Sequence, residues 1–220
     1  MGDIYVTMKD IEKTYVQWKV ALRALESVTG EVVPGDRIAV VGPSGSGKST
    51  LLHIMGGIDV PTSGSIAWPS LGKREELRPK KVGFIFQTVS LVASLTAVEN
   101  VALPLLLTGE NPSESHKAAL EALECIGLES IADKLPEELS GGQAQRVATA
   151  RTLTSRPKLI LADEPTGQLD HPTAQHLFDV LLDYIKSSDI ALIVATHDAA
   201  IARRMEDVWH LNYGRLEAGK

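Results

Sequence analysis

Residues Gly42-Pro43-Ser44-Gly45-Ser46-Gly47-Lys48-Ser49 fit the spacing G-x-x-x-x-G-K-[ST], whose chemistry is the cradling of a polyphosphate. Glycines let successive backbone N–H groups curl toward phosphate oxygens. A helix starting at Lys48 would add partial positive charge at the same place. Lys48 then offers a point charge to the β- and γ-phosphates, and the Ser49 hydroxyl a ligand to Mg2+. Together with Thr50, which follows in the same turn, these residues are candidate ligands of a nucleoside triphosphate. The plain alternative is a Gly/Ser-rich turn. Against it stands the context: the apolar run Ile38 to Val41 before the motif reads as a buried strand, and Lys48 to Met55 after it reads as a helix.

A second constellation is Lys158-Leu159-Ile160-Leu161-Ala162-Asp163-Glu164, in which an apolar strand delivers two carboxylates at its C-terminal end. That edge of an α/β sheet is where ligands bind. Asp163 is placed to hold Mg2+, and Glu164 to polarise a water for attack on the γ-phosphate. A solvated turn after a strand is the alternative, weakened by the phosphate-binding pattern 115 residues upstream. Third, Leu139-Ser140-Gly141-Gly142-Gln143 sets a second glycine turn before a helical stretch, Gln143 to Thr154. Such a turn is ordinary N-capping when isolated. Here it would make a second anion-binding helix start in one small protein.

The elements that must position these groups are legible as short apolar runs. Ile4, Val6 and Met8 alternate with polar neighbours, and Val20 to Leu25 and Val28 to Val33 also look extended, so antiparallel strands are expected first. Pro34-Gly35-Asp36 turns the chain into the strand before the phosphate loop. Phe84-Ile85-Phe86, Leu159 to Ala162 and Ile190 to Thr196 read as buried parallel strands. Between Phe86 and Leu159 lie about 70 residues with almost no strand character, including a helix expected over Ser113 to Ile126. The expectation is one α/β domain over residues 1–220 with an N-terminal antiparallel β-subdomain. A helical subdomain is inserted at about 88–155, leaving about 1–87 and 156–220 to the core and β-subdomain.

These motifs identify the chain as similar to the nucleotide-binding subunits of ABC transporters, whose signature reads LSGGQ. The resemblance implies a P-loop NTPase core of the RecA-like type with a parallel sheet. It also supplies roles by position. Tyr15, 33 residues before Lys48, stands where an aromatic stacks on adenine. Gln87, after Phe84-Ile85-Phe86, stands as the Q-loop glutamine that ligates Mg2+ and senses the partner; Leu169-Asp170 is similar to the D-loop, and His197 to the switch histidine that contacts the γ-phosphate. A satisfied structural histidine is the ordinary reading of a lone His at a strand end. Within this ordered set the switch role is favoured, whereas His171 and His176, five apart, earn no paired role. Two copies head to tail would sandwich two ATP, each site taking Ser140, Gly142 and Gln143 from the other copy. Catalysis would then rest on Lys48, Glu164 and His197, and Mg2+ on Ser49, Gln87 and Asp163.

Leu95 to Pro104 and Leu161 to Asp170 narrow the resemblance to the MacB, LolD and FtsE group of bacterial ABC ATPases. Membership implies an integral membrane permease of FtsX/MacB type; because one chain carries both halves of the site, a homodimer is the simplest arrangement, with a heterodimer of two ATPases the alternative. Membership also implies a peripheral place on the cytoplasmic face of the cell membrane, and work in lipoprotein release, export of macrolides, peptides or haem, or control of cell-wall hydrolases. Three departures stand out: a short stretch Ser65 to Lys81, Gln168 for the usual Asn, and Thr149, Thr152 and Thr154 in a helix that is normally rich in Ala and Leu. The permease would dock around Gln87 to Asn100, with Glu99 a candidate contact; Val101 to Leu107 could line the permease groove too, but its apolar content is more economically read as core packing of the helical subdomain. A small-molecule kinase would leave Leu139 to Gln143 and His197 without a role. A regulator of a membrane complex that transports no solute would keep every motif.

Composition agrees with this class. The chain has 220 residues and 44% apolar content, enough to bury one sizeable core. A net charge of −6, from 22 basic and 28 acidic residues, argues against nucleic acid as a partner. No apolar run approaches the roughly 20 residues of a membrane helix, and the N-terminal residues carry neither a secretory nor a myristoylation signal. The one cysteine, Cys125, falls among Ala118, Ala119, Ala122, Leu123 and Ile126 and is expected to be buried, in a reducing compartment.

Overall fold

The computed structural model describes residues 3–17, 20–167 and 169–218. Alternation of apolar and polar residues in β1 (Val6–Gln17) and β2 (Val20–Val32) produces a long antiparallel hairpin, to which β4 (Ser63–Ala67) adds in the order β2-β1-β4. Its inward residues Met8, Ile11, Leu25, Val28 and Val32 are fully buried. The two extended segments expected at 20–25 and 28–33 are one strand. An irregularity joins them: Asp10 and Ser27 both take positive φ, the register shifts beside Asp10, and the Ser27 hydroxyl donates to the Asp10 carboxylate at 3.0 Å.

A six-stranded sheet follows the order β5 (Val82–Ile85), β6 (Leu159–Asp163), β7 (Ala191–Ala195), β3 (Arg37–Val41), β8 (Asp207–Asn212), β9 (Arg215–Ala218). All neighbours are parallel except the terminal β8–β9 hairpin. Every residue of β6 and β7 is buried, as a strand covered on both faces requires. Leu159, Leu161 and Ile193 pack against α1 (Lys48–Met55) and the β1–β2 hairpin. Ile160, Leu192 and Val194 face the other way, onto α5 (His171–Ile185) and α6 (Ala199–Ala202).

Three helices, α2 (Ala97–Leu107), α3 (Pro112–Cys125) and α4 (Gly141–Thr154), surround their own cluster of Val98, Val101, Ala119, Leu123, Val147 and Ala150. Each start is encoded locally. Thr96 and Glu99 form a reciprocal capping box, Asn111 caps with Pro112 at the first turn, and Ser140 pairs reciprocally with Gln143. These caps move α3 and α4 one and two residues earlier than the expected starts at Ser113 and Gln143.

Two expectations fail on this unit. Cys125 is exposed, because the buried stripe of α3 runs Ser115, Ala119, Leu123 and Cys125 lies two residues past it, on the solvent side of the helix. The run Val101 to Leu107 splits: Val101 and Ala102 are buried, whereas Leu106 is 39% and Leu107 71% exposed beyond Pro104. Glu99 is exposed but committed to its own helix, accepting from the Thr96 amide at 2.8 Å and the Thr96 hydroxyl at 3.0 Å.

The threonines of α4 are buried and bonded. Thr149 and Thr154 donate to carbonyls one turn back, while Thr152 donates to the Phe84 carbonyl of β5 at 2.8 Å. Gly83 makes room for that contact, since a Cβ there would sit 2.5 Å from the Thr152 methyl group. Gln145 donates to the Phe86 carbonyl at 3.2 Å and Arg151 to the Ser90 carbonyl at 2.8 Å, so α4 grips both β5 and the loop beyond it. Among the described residues no helix is long and apolar enough to cross a membrane.

Candidate active site

Parallel pairing puts the C-terminal ends of β5, β6, β7 and β3 on one sheet edge, side by side. Gln87 follows β5 by two residues, Asp163-Glu164 close β6, His197 follows β7 by two, and the loop Gly42 to Gly47 leaves β3. The strands before Gln87 and His197 end slightly earlier than their apolar runs, at Ile85 and Ala195. A cleft of about 600 Å³ at this edge is lined by Tyr15, Ser44, Gly45, Gly47, Lys48, Ser49, Thr50, Gln87, Asp163, Glu164 and His197. Gly42, Pro43 and Ser46 belong to the same loop but do not line the cleft. Ser140, Gly142 and Gln143 do not line it.

The loop is rigid for local reasons. Gly47, at φ 102°, starts α1 in the left-handed region, and a Cβ there would meet the Ala24 carbonyl oxygen at 2.3 Å. From below, the Gly214 amide of the terminal hairpin donates to the Ser46 carbonyl at 3.1 Å. Lys48 is 9% exposed and curls over the loop, donating to the Gly42 carbonyl at 2.8 Å and the Pro43 carbonyl at 3.1 Å. Among the described residues it has no carboxylate partner. Its charge and the loop amides therefore face a cleft built for an anion.

At the other wall, Asp163 is 5% exposed. Glu164 takes φ 46°, a left-handed conformation uncommon for a residue with a Cβ, with its amide held by the Ala195 carbonyl at 2.9 Å. This turn aims the carboxylate at His197, whose Nδ1 lies 2.9 Å from each Glu164 oxygen. Among the described residues no three His, Cys, Asp or Glu side chains gather into a metal site. Asp163, Ser49 and Gln87 nonetheless line one cleft, so that a carboxylate, a hydroxyl and a side-chain amide are available there. One carboxylate with neutral oxygens suits Mg2+ that completes its shell with water and phosphate.

Tyr15 sits at the cleft mouth, 39% exposed. Burial and the hydrogen bond to Asp59 both raise its phenol above the ordinary value, so it stays a donor. Leu22, Arg23 and Ala24 of β2 also line the cleft. They carry no sequence signal; only the hairpin register Tyr15↔Leu22 brings them there. At α4 the reciprocal bonds of Ser140 and Gln143, 2.9 and 3.2 Å, show that capping is real, while a Cβ on Gly142 would come within 3.1 Å of the Leu169 side chain. Gln168, the departure beside it, lies outside the described residues.

Comparison with known proteins gives the same picture. The family model described as ABC transporter matches residues 25–167. The lipoprotein-releasing system ATP-binding protein LolD of Legionella pneumophila (strain Paris) is 43% identical over 99% of both chains. The protein of that name from Xanthomonas campestris pv. campestris (strain 8004) is 39% identical over 98% of this chain and 93% of its own. Among solved structures, a dimeric post-hydrolysis ATP-binding cassette bound to ADP and Pi superposes with a TM-score of 0.89 at 38% identity over 98% of both chains. A second dimeric structure of that cassette, described as a bacterial ABC transporter cassette, gives 0.88 over 96% of both. Taken with a phosphate loop, paired carboxylates and signature turn hung on one parallel sheet, these matches place the chain in the ABC transporter family, as an ATP-binding and ATP-hydrolysing subunit.

Proposed function

We propose that this subunit powers a LolD-like transporter, closing as a homodimer around two ATP and driving an FtsX/MacB-type permease from the cytoplasmic face of the membrane, with lipoprotein release as its work. The observation that carries the reading is the exposed start of α4, whose Ser140 and Gly142 stand outside the cleft that gathers every other motif. A complete site therefore needs the same turn from a second copy. Dimeric relatives of high structural similarity support that arrangement.

Within each site Lys48 and the backbone N–H groups of the loop, from Ser44 to Ser49, bind the β- and γ-phosphates. Ser49, Gln87 and Asp163 would hold Mg2+, which would supply positive charge to offset that developing on the phosphate oxygens. Glu164 accepts a proton from the attacking water, and His197 orients that carboxylate from 2.9 Å away while facing the γ-phosphate. Ser140, Gly142 and Gln143 of the other copy close the far side. Binding of ATP shuts the dimer and hydrolysis reopens it, and α4 carries the motion to the loop after Gln87 through its bonds to Phe84, Phe86 and Ser90.

The exposed apolar end of α2, Leu106 and Leu107, together with Val92, 40% exposed on the loop after Gln87, is the surface offered to the permease. Lys48→Ala should lower ATP turnover by about 100-fold or more. Steady-state phosphate release measures it. Turnover within a few-fold of wild type would remove Lys48 from the site.

A further inference from the structure

Tyr15 does not stand alone. Its hydroxyl donates to Asp59 Oδ2 at 2.7 Å and lies 3.5 Å from Thr50 Oγ1 in the first turn of α1. The other oxygen of the same carboxylate, Oδ1, accepts from Lys13 Nζ at 2.6 Å, and Lys13 also donates to the Val60 carbonyl at 2.7 Å. Lys13 Nζ in turn sits over the Tyr15 ring, 4.8 Å from its centroid. Lys13 is 9% exposed, so this ammonium is held in place and not swinging in solvent. Three side chains from β1 and the turn after α1 thus close a triangle: carboxylate to phenol, carboxylate to ammonium, ammonium to ring face.

The consequence is geometric. A phenol ring has two faces, and the ammonium covers one of them. The hydroxyl, anchored to Asp59, fixes the ring plane. Only the opposite face remains open to a flat partner, and Tyr15 lines the cleft that holds the phosphate loop. A preset ring loses less rotamer freedom when a base stacks on it. The bonded carboxylate and face-on cation serve the ring, while neither Lys13 nor Asp59 lines the cleft.

We propose that Asp59 and Lys13 are positioning residues for nucleotide recognition, locking Tyr15 so that a single ring face is presented to the purine of ATP. The inference rests on the reading of Tyr15 as the base-stacking aromatic. It separates the base-binding part of the site from the phosphate-binding part, and that separation is testable with a probe that has no base.

The experiment measures KM and kcat for MgATP and, in the same full-length protein, the inhibition constant of magnesium tripolyphosphate. Tyr15→Ala should raise KM for ATP about tenfold, the range of base–aromatic stacking, with kcat changed by less than about twofold. Asp59→Ala and Lys13→Met should raise it about threefold to tenfold, and Tyr15→Ala/Asp59→Ala should be no worse than Tyr15→Ala alone. Asp59→Asn, which keeps an acceptor for the phenol, should recover part of the loss. Tripolyphosphate inhibition should stay at the wild-type value throughout. If Tyr15→Ala weakens ATP binding but Asp59→Ala, Asp59→Asn and Lys13→Met do not, the positioning role is wrong and stacking stands. Equal weakening of ATP and tripolyphosphate by Asp59→Asn or Lys13→Met would make these residues supports of the phosphate loop and overturn the inference. If Tyr15→Ala itself leaves KM unchanged, the stacking role and this inference fall together.

Discussion

His197 is 75% exposed at its side chain and Glu164 only 12%, so the histidine reaches over the carboxylate from the open side of the cleft. Removing it should leave the Glu164 backbone turn intact, because that turn is held by the Ala195 carbonyl. His197→Ala is therefore expected to cut kcat by about 10- to 100-fold with a smaller change in KM. Initial rates over a range of ATP concentrations would decide it, and an unchanged kcat would assign the 2.9 Å contact to packing. The chemistry-bearing residues were the easiest part to read, since Lys48 sits in a motif of fixed glycine spacing and Asp163, Glu164 and His197 come at the end of apolar runs. Asp59 and Lys13 were not readable. Their role depends on a contact across 46 residues of sequence that no local spacing announces.

At the scale of elements, the sequence was most informative where a buried strand or cap dictates one structure, as in β6, β7 and the Thr96–Glu99 box. It misled where burial depends on which helix face meets a neighbour: Cys125 and Leu107 are apolar residues on unpaired faces. Asn100 shows the limit from the other side. It is fully buried and bonds the Val92 amide at 2.8 Å and the carbonyls of Val92, Leu95 and Thr96, so it fixes the loop after Gln87. Its neighbours in sequence give no hint of this. Thr152 is the sharper test of how α4 is fastened to the sheet. Thr152→Val keeps the shape but removes the bond to Phe84, and should cost about 1–2 kcal/mol in urea unfolding, with the slope unchanged. A cost near zero would mean that α4 is held there by packing over Gly83 and by the Gln145 and Arg151 bonds, without help from the Thr152 hydroxyl. For the permease surface, Leu107→Glu should leave ATP hydrolysis by the isolated subunit unchanged and abolish its stimulation by the co-purified permease. Full stimulation in this variant and in Val92→Glu would place the contact elsewhere. Glu99→Arg is a poor probe, since it would strip the cap from α2.

For the whole molecule, the account turns on a site divided between two copies. One sheet edge gathers the phosphate loop, Asp163, Glu164 and His197 in one cleft, while the signature turn at Ser140 lies outside that cleft, at the start of a helix in a separate hydrophobic cluster. The order of motifs along the chain made both halves visible. Their separation by an inserted helical unit was expected as well; the fold adds that the cleft forms without Ser140, Gly142 and Gln143. Glu164→Gln keeps the left-handed turn and the steric outline but removes the proton acceptor, so ATP should bind without being hydrolysed. Sedimentation velocity of this variant at micromolar protein and millimolar MgATP is the most direct test. A dimer that forms with ATP and dissociates when ATP is replaced by ADP is the predicted result; a species that remains monomeric under saturating ATP would contradict a shared site.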